Sequence, residues 1–183
     1  MLYYHGTTPN YAEEILEDGC IFSSNELEKR GKNYRGWNFE VGVDYGDGIF
    51  LAETLKKAEY FASLRLEYLW EEIDREGGLE KLIDIFDDIN YIVVFKIVIN
   101  DEKRIYKERG YNKLSEGEII YLGNILSKIK SRRKKVYFDG VENIDKSGEL
   151  ENYINHRIKV IKETLDNQEK EELEVYLEEI GWI

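Results

Sequence analysis

The pattern of hydrophobic and polar residues divides the chain into strand-like and helix-like stretches. The clearest predicted strand is 91–99, which is almost continuous in β-forming residues, as is typical of a central strand covered on both faces. Shorter strands are predicted at 2–5, 46–53, 115–125 and 135–138, with an edge strand at 104–106 and a strand end at Asp139-Gly140.

Helix signals separate these strands. Thr8 is expected to cap the first helix, with Pro9 at its first position and Gly19 at its end. Further helices are predicted from the capping residue Thr54 to Gly77-Gly78, from Leu79 to Phe86, and at 150–166 and 172–180. The last two carry charged residues on one side, so each is expected to pack on its apolar side only.

Composition narrows the class of protein. The chain has 183 residues, of which 42% are hydrophobic and 35% are charged, as expected for one globular domain or one domain with an appendage. It contains no apolar run of membrane-spanning length and no signal-peptide pattern at its start, so we expect no membrane contact. Cys20 is the single cysteine and is expected to be a small core residue, which makes a reducing, cytoplasmic location the default.

The charge distribution bears on partners. A net charge of −12 disfavours a general affinity for polyanions. The basic segment 128–135 is the local exception, and it is either a solvated surface turn or a contact for nucleic acid or an acidic partner. Residues 23–47 are polar and rich in glycine, and they predict a long loop of the kind that often has a function.

Three short motifs then occur in a fixed order along the chain. They are His5-Gly6-Thr7, a Gly-Ile-Phe-Leu-Ala stretch at 48–52 followed by Tyr60, and a strand that begins near Glu116 and Glu118. This ordered set resembles the ADP-ribosyltransferase superfamily, in particular its His-Tyr-Glu branch of diphtheria-type toxins and poly(ADP-ribose) polymerases. The resemblance covers roughly residues 2–62 and 115–125.

The resemblance implies an α+β fold. The expected architecture is a split β-sandwich of two small sheets with an NAD cleft between them, together with inserted helices and a C-terminal helical appendage. We place the catalytic domain at 1–140 and the appendage, packed on it, at 141–183.

The resemblance also implies a catalytic carboxylate. Transfer of ADP-ribose breaks the bond between ribose and nicotinamide through a transition state that resembles an oxocarbenium ion. By resemblance Glu118 accepts a hydrogen bond from the ribose and stabilises that charge. Glu116 shares a face with Glu118 on a regular strand and is a candidate for engaging the acceptor. Without the resemblance, both would be interpreted as solvated carboxylates at the start of a strand.

The NAD-binding residues are likewise carried over from the family. The backbone of Gly6 would bind the nicotinamide amide, His5 the adenosine-side ribose, and Tyr60 would stack on the nicotinamide ring, with Phe50 as the opposite wall. Thr7 belongs to the same set. The distance in sequence from Phe50 to Tyr60 is one residue shorter than the usual polymerase-like spacing. Without the resemblance, His5 would only pack or cap locally and Tyr60 would be a core residue.

Residues 23–47 would lie against the adenosine half of NAD in this family. Trp37, Phe39 and Tyr45 either supply a stacking face there or anchor the loop. Arg35 is a candidate for meeting the pyrophosphate, although nothing in the sequence singles it out.

The predicted activity is that of an NAD-dependent mono-ADP-ribosyltransferase. NAD is the substrate, no metal is required, and a macromolecule is the acceptor, with protein favoured over nucleic acid. A role as a toxin or phage–host effector rests on family analogy alone. The alternatives are an NAD glycohydrolase, an RNA or DNA ADP-ribosyltransferase, and a catalytically silent binding module of the same fold.

Overall fold

The computed structural model describes residues 1–31, 48–76, 78–106, 117–131, 135–145 and 149–183. Within these ranges the strands form one six-stranded and one two-stranded sheet, and neighbouring strands in both are antiparallel. The strands are β1 (Leu2–Thr7), β2 (Cys20–Ile21), β3 (Gly48–Ala52), β4 (Tyr91–Ile99), β5 (Ile105–Tyr106), β6 (Glu118–Leu122), β7 (Ile125–Leu126) and β8 (Val136–Asp145).

The large sheet has the order β5-β6-β3-β1-β4-β8, and the small sheet pairs β2 with β7. The helices in the described ranges are α1 (Pro9–Asp18), α2 (Ser24–Lys29), α3 (Leu55–Glu76), α4 (Leu79–Ile89), α5 (Glu149–Thr164) and α6 (Asn167–Glu179), with a 3₁₀ turn at Glu102–Arg104. The predicted α+β class is therefore confirmed.

Most residues of strand β4 are buried, as its sequence predicted. It lies between β1 and β8, and its residues from Ile92 to Phe95 are all buried. Six positions of β1 pair with it on one side, from Leu2 to Thr7. Eight positions pair with β8 on the other side.

The large sheet is joined weakly at its middle. β3 pairs with β6 at five consecutive positions, whereas β3 and β1 pair at one position only, Tyr4 opposite Ala52. The sheet therefore consists of two three-stranded halves, β5-β6-β3 and β1-β4-β8, which are joined by a single pair.

Each face of the sheet has its own apolar core. One face buries Tyr3, Phe95 and Tyr121 against α1 and the small sheet. On the other face, α3 packs Ala58 against Ala52 and Val94. A third and larger core joins α3 and α4 to the C-terminal helices. Its buried members on those helices are Leu150, Ile154, Ile158, Ile161, Leu165, Leu173 and Leu177.

The helix ends follow the sequence signals, with one correction. Pro9 occupies the first turn of α1, and Gly19 ends it in the left-handed conformation with φ of 57°. The Thr54 hydroxyl accepts a hydrogen bond from the Lys57 N–H at 3.3 Å and so caps α3. Thr8 stands at the capping position of α1, but its hydroxyl donates to Asn10 Oδ1 at 2.7 Å, so the expected capping bond from Thr8 is wrong.

Two further expectations are corrected by the fold. Residues 24–29 of the predicted 23–47 loop form α2, and the remainder from 32 to 47, with Arg35 and its aromatic neighbours, lies outside the described residues. The strand expected to stop at Asp139-Gly140 continues to Asp145, because a bulge with Gly140 at φ of 108° absorbs the register shift. Residue 140, after which we placed the domain boundary, lies inside β8, and the division into two domains stays a prediction.

Cys20 is buried, and burial raises its pKa to about 11, which fits the predicted core role. None of the helices in the described part of the chain is long and apolar enough to cross a membrane.

Candidate active site

The described strands β1 and β3 pair only at Tyr4 and Ala52, and we call the region beyond this pair, toward Gly6 and Phe50, the opening. The N–H of Ile99 donates to the Met1 carbonyl at 2.9 Å, and the Met1 amino group donates to the Ile99 carbonyl at 2.7 Å. Backbone groups alternate in direction along an antiparallel strand, so odd-numbered residues of β1 point their N–H and C=O toward β4. Even-numbered residues point theirs toward β3. Gly6 therefore directs its N–H and C=O into the region beyond the last pair between β1 and β3.

His5 bridges the two half-sheets at this opening. Its Nδ1 lies 3.0 Å from the carbonyl oxygen of Phe50. A carbonyl can only accept, so Nδ1 carries the proton and the neutral ring keeps an acceptor lone pair on Nε2. Burial lowers the pKa of His5, and the hydrogen bond to Phe50 opposes this in part. The ring is therefore a neutral acceptor in a fixed orientation.

The packing of α3 on β1 requires a glycine at position 6. A Cβ at this position would lie 2.1 Å from the carbonyl oxygen of Ala58 and 2.8 Å from its carbonyl carbon. The backbone of α3 thus contacts β1 directly at Gly6, and any larger residue would push the helix away.

Glu118 is the first residue of β6 and lies in line with Tyr4 of β1 across the sheet. It pairs with Ala52, and Ala52 pairs with Tyr4. Residues directly opposite one another in a sheet share a face, so the side chains of Glu118 and Tyr4 point to the face covered by α3. Two strand spacings place their Cα atoms about 10 Å apart. The Glu118 side chain is half-buried.

His5 and Glu118 lie on opposite faces of the sheet. His5 is opposite Phe95, whose ring belongs to the core on the other face. The structure therefore does not bring the side chains of His5 and Glu118 together on one face.

Two aromatic side chains of α3 differ in their exposure. Tyr60 is 53% exposed, so the interpretation of Tyr60 as a core residue is wrong. It projects about 160° around the helix axis from Ala58, which packs on Gly6. Phe61 is partly buried and packs against the cluster that contains Ala52 and Ala58. The two ring centroids are 5.7 Å apart.

Phe61 is a second aromatic candidate on α3 that sequence reasoning did not name for the site. It lies closer to the sheet than Tyr60, and its spacing from Phe50 is the one that the resembled family usually shows, which is one residue longer than that of Tyr60. That difference in spacing was the signal that pointed to Phe61 as an alternative.

The remaining predicted site residues are placed as follows. Phe50 is half-buried, opposite Ile120 of β6. Thr7 is buried, and the alternation of β1 points its side chain to the same face as His5. Glu116 lies outside the described residues, so its proposed proximity to Glu118 stays a prediction.

The three lysines of the basic segment that the structure describes have partners within the chain. Lys128 forms an ion pair with Asp139 at 2.7 Å, and the Lys130 ammonium donates to the Asp18 carbonyl at 2.6 Å. Lys135 lies 3.6 Å from Asp101. These contacts favour a surface turn, while residues 132–134 fall outside the described ranges.

Comparisons of the chain with protein-family models, with curated proteins and with solved structures find no match. Among the residues that the structure describes, no group of three or more His, Cys, Asp or Glu side chains is arranged to hold a metal ion.

Proposed function

We propose that the chain is an NAD-dependent mono-ADP-ribosyltransferase that acts on a macromolecular acceptor. One observation carries the proposal: three motifs far apart in sequence, around His5, Phe50 and Glu118, occupy the adjacent strands β1, β3 and β6. The ladder between β1 and β3 ends at Tyr4, next to the His-Gly pair. Motifs of unrelated function would have no reason to meet at such an opening.

The division of the sheet supports the finer fold assignment. We propose that the halves β5-β6-β3 and β1-β4-β8 correspond to the two small sheets of an ADP-ribosyltransferase, and that NAD lies in the opening between them. A cleft of this kind needs strands that are neighbours yet do not complete their ladder, because an intact ladder leaves no backbone group for a ligand.

The groups at the opening suit the two ends of NAD. The Gly6 backbone offers a donor and an acceptor on one side, which complement the C=O and NH₂ of the nicotinamide carboxamide. The Nε2 lone pair of His5 accepts from a ribose hydroxyl. Because the Gly6 backbone points along the sheet toward β3 and the His5 ring lies on one face, the two groups meet different parts of the ligand.

Glu118 supplies the charge for the chemical step. The bond between C1′ of the ribose and the nicotinamide nitrogen breaks, and its electron pair leaves with neutral nicotinamide. Positive charge develops on the ribose, where a carboxylate that accepts from a ribose hydroxyl stabilises it. The acceptor then forms the new bond to C1′ and loses a proton. The same step with water as acceptor is NAD hydrolysis.

A charge-matched pair of variants tests the proposal. Purified protein is incubated with NAD, and nicotinamide release is measured by chromatography. Glu118→Gln should lower release about a hundred- to a thousandfold, the usual cost of losing one preorganised electrostatic group. Glu142→Gln removes a carboxylate from the same face at the far edge of the sheet, where it pairs with Lys96 at 3.0 Å, and should release nicotinamide like the wild type.

The acceptor is identified in a parallel reaction. Labelled NAD is incubated with the protein and a cell lysate, and the product is digested with protease or with nuclease. Label lost with protease supports a protein acceptor, and label lost with nuclease a nucleic-acid acceptor. Nicotinamide release without transferred label would show a glycohydrolase. Absence of both release and NAD binding would contradict the proposal and favour a silent fold.

A further inference from the structure

The rings of Tyr60 and Phe61 already contact the positively charged side chain of Lys57. The ammonium nitrogen of Lys57 lies 5.5 Å from the Tyr60 ring centroid and 5.2 Å from that of Phe61. Both distances fall within the range of a cation–π interaction, in which the negative face of the ring attracts the cation. Lys57 is three residues before Tyr60 and four before Phe61, so all three side chains lie along one side of α3.

The position of Lys57 does not stabilise the helix. Lys57 is the third residue of α3, where its own N–H is bonded to the Thr54 hydroxyl. The partial positive charge of a helix N-terminus repels cations in the first turn. The ring contacts therefore offset an unfavourable electrostatic position.

The nicotinamide ring of NAD is a pyridinium cation, and it becomes neutral only when the glycosidic bond breaks. A pyridinium that stacks on Tyr60 or Phe61 needs the same negative ring faces that Lys57 occupies. Lys57 and the pyridinium also repel each other directly, since both are positive.

We infer that Lys57 is an intramolecular competitor of the nicotinamide cation at the Tyr60–Phe61 rings, so that the site holds neutral nicotinamide relatively better than its cationic form. This rests on the proposed function and on the stacking role that the resemblance assigns to Tyr60, for which Phe61 is the neighbouring alternative. Lys57 is a specificity-determining residue: it weakens binding of the charged ring and relatively favours the neutral product.

The test compares two small probes that differ in charge. Nicotinamide is neutral, and 1-methylnicotinamide carries the pyridinium charge. Their affinities are measured by calorimetry at constant ionic strength for the wild type, Lys57→Met and Lys56→Met. Lys56 is the exposed neighbour on the same helical turn, so its variant controls for the loss of one charge.

Lys57→Met should tighten 1-methylnicotinamide about threefold, the size of a partly exposed cation–π contact, and leave nicotinamide within about twofold. Lys56→Met should tighten 1-methylnicotinamide by less than Lys57→Met does, and it should change nicotinamide binding no more than Lys57→Met does. In a Tyr60→Ala, Phe61→Leu background the effect of Lys57→Met should shrink, because the shared rings are gone.

Equal tightening by both lysine variants would show a general charge effect and overturn the inference. Unchanged or weaker binding of 1-methylnicotinamide to Lys57→Met would overturn it as well. If the wild type binds neither probe and does not bind NAD, the proposed function fails and this inference falls with it. NAD binding with an unaltered preference between the probes in Lys57→Met would refute only the role of Lys57.

Discussion

The two edges of strand β1 are built differently. On one edge β1 pairs with β4 at six consecutive positions, and on the other it pairs with β3 at a single position. The first edge adds a buried ladder to the core, whereas the second leaves the backbone of Gly6 and the ring of His5 at an opening. Under the proposed function, one strand serves stability on one side and ligand binding on the other.

The closed edge should be the more costly to damage. Phe95 is fully buried opposite His5 and meets Phe138 edge-on at 5.3 Å. Phe95→Ala should lower the free energy of unfolding by about 3–5 kcal/mol, because it removes the ring and leaves a cavity. Urea denaturation measures this, with Leu2→Ala, an exposed position of β1, as the control. Equal losses for both variants would contradict the buried role of this edge.

A substitution at Gly6, where β1 contacts α3, should lower the stability somewhat less than Phe95→Ala does. Gly6→Ala forces a Cβ against the backbone of α3, and overpacking of this kind costs about 1–3 kcal/mol. NAD binding should weaken too, because the strand and α3 must separate. Denaturation and NAD titration of the same variant are compared. Full stability would contradict the packing of α3 on Gly6, and lost NAD binding at full stability would show that the added methyl group blocks the ligand itself.

The open edge should show effects on binding with little effect on stability. Tyr60→Ala should leave the free energy of unfolding within about 0.5 kcal/mol, since Tyr60 is exposed. If Tyr60 stacks on nicotinamide, NAD affinity should fall about fivefold, from about 1 kcal/mol of ring stacking, while Tyr60→Phe keeps it.

Phe61→Leu, which keeps the apolar contact but removes the ring, sharpens this assignment. Loss of affinity in Phe61→Leu with none in Tyr60→Ala would identify Phe61 as the stacking ring. Wild-type affinity in both would place the nicotinamide elsewhere.

The smallest effect concerns the dependence of stability on pH. Burial lowers the pKa of His5 in the folded state, so the unfolded chain binds the proton more readily. The contribution of His5 to stability is therefore complete above its ordinary pKa of about 6.5 and declines as the pH falls toward the lowered folded pKa. His5→Asn keeps a donor for the Phe50 carbonyl but cannot titrate there.

Denaturation at pH 7 and at pH 5.5 checks this expectation. Wild-type stability should fall more than that of His5→Asn, and the exposed His156→Asn should behave like the wild type. A parallel loss in all three proteins would mean that His5 does not set the pH dependence.

Local sequence signals determined many of the helices and strands of this protein and several of their ends. Strand 91–99, the Pro9 start and Gly19 end of α1, the Thr54 cap and the buried residues of the C-terminal helices all followed from periodicity and end signals. These features depend on residues within one turn or one strand of each other. The strand around Glu118 could also be predicted, because its apolar run is local.

Only the tertiary structure decided how these elements meet. The bond from His5 to Phe50 spans 45 positions of sequence, and neither residue signals it locally. The continuation of β8 past Gly140 depends on β4, which supplies hydrogen bonds on both sides of the bulge. Likewise, which of Tyr60 and Phe61 is exposed and which packs toward the sheet depends on where α3 contacts Gly6. A pattern along the chain reports which residues are buried, whereas strand adjacency and openings arise from contacts between distant segments, which no local pattern encodes.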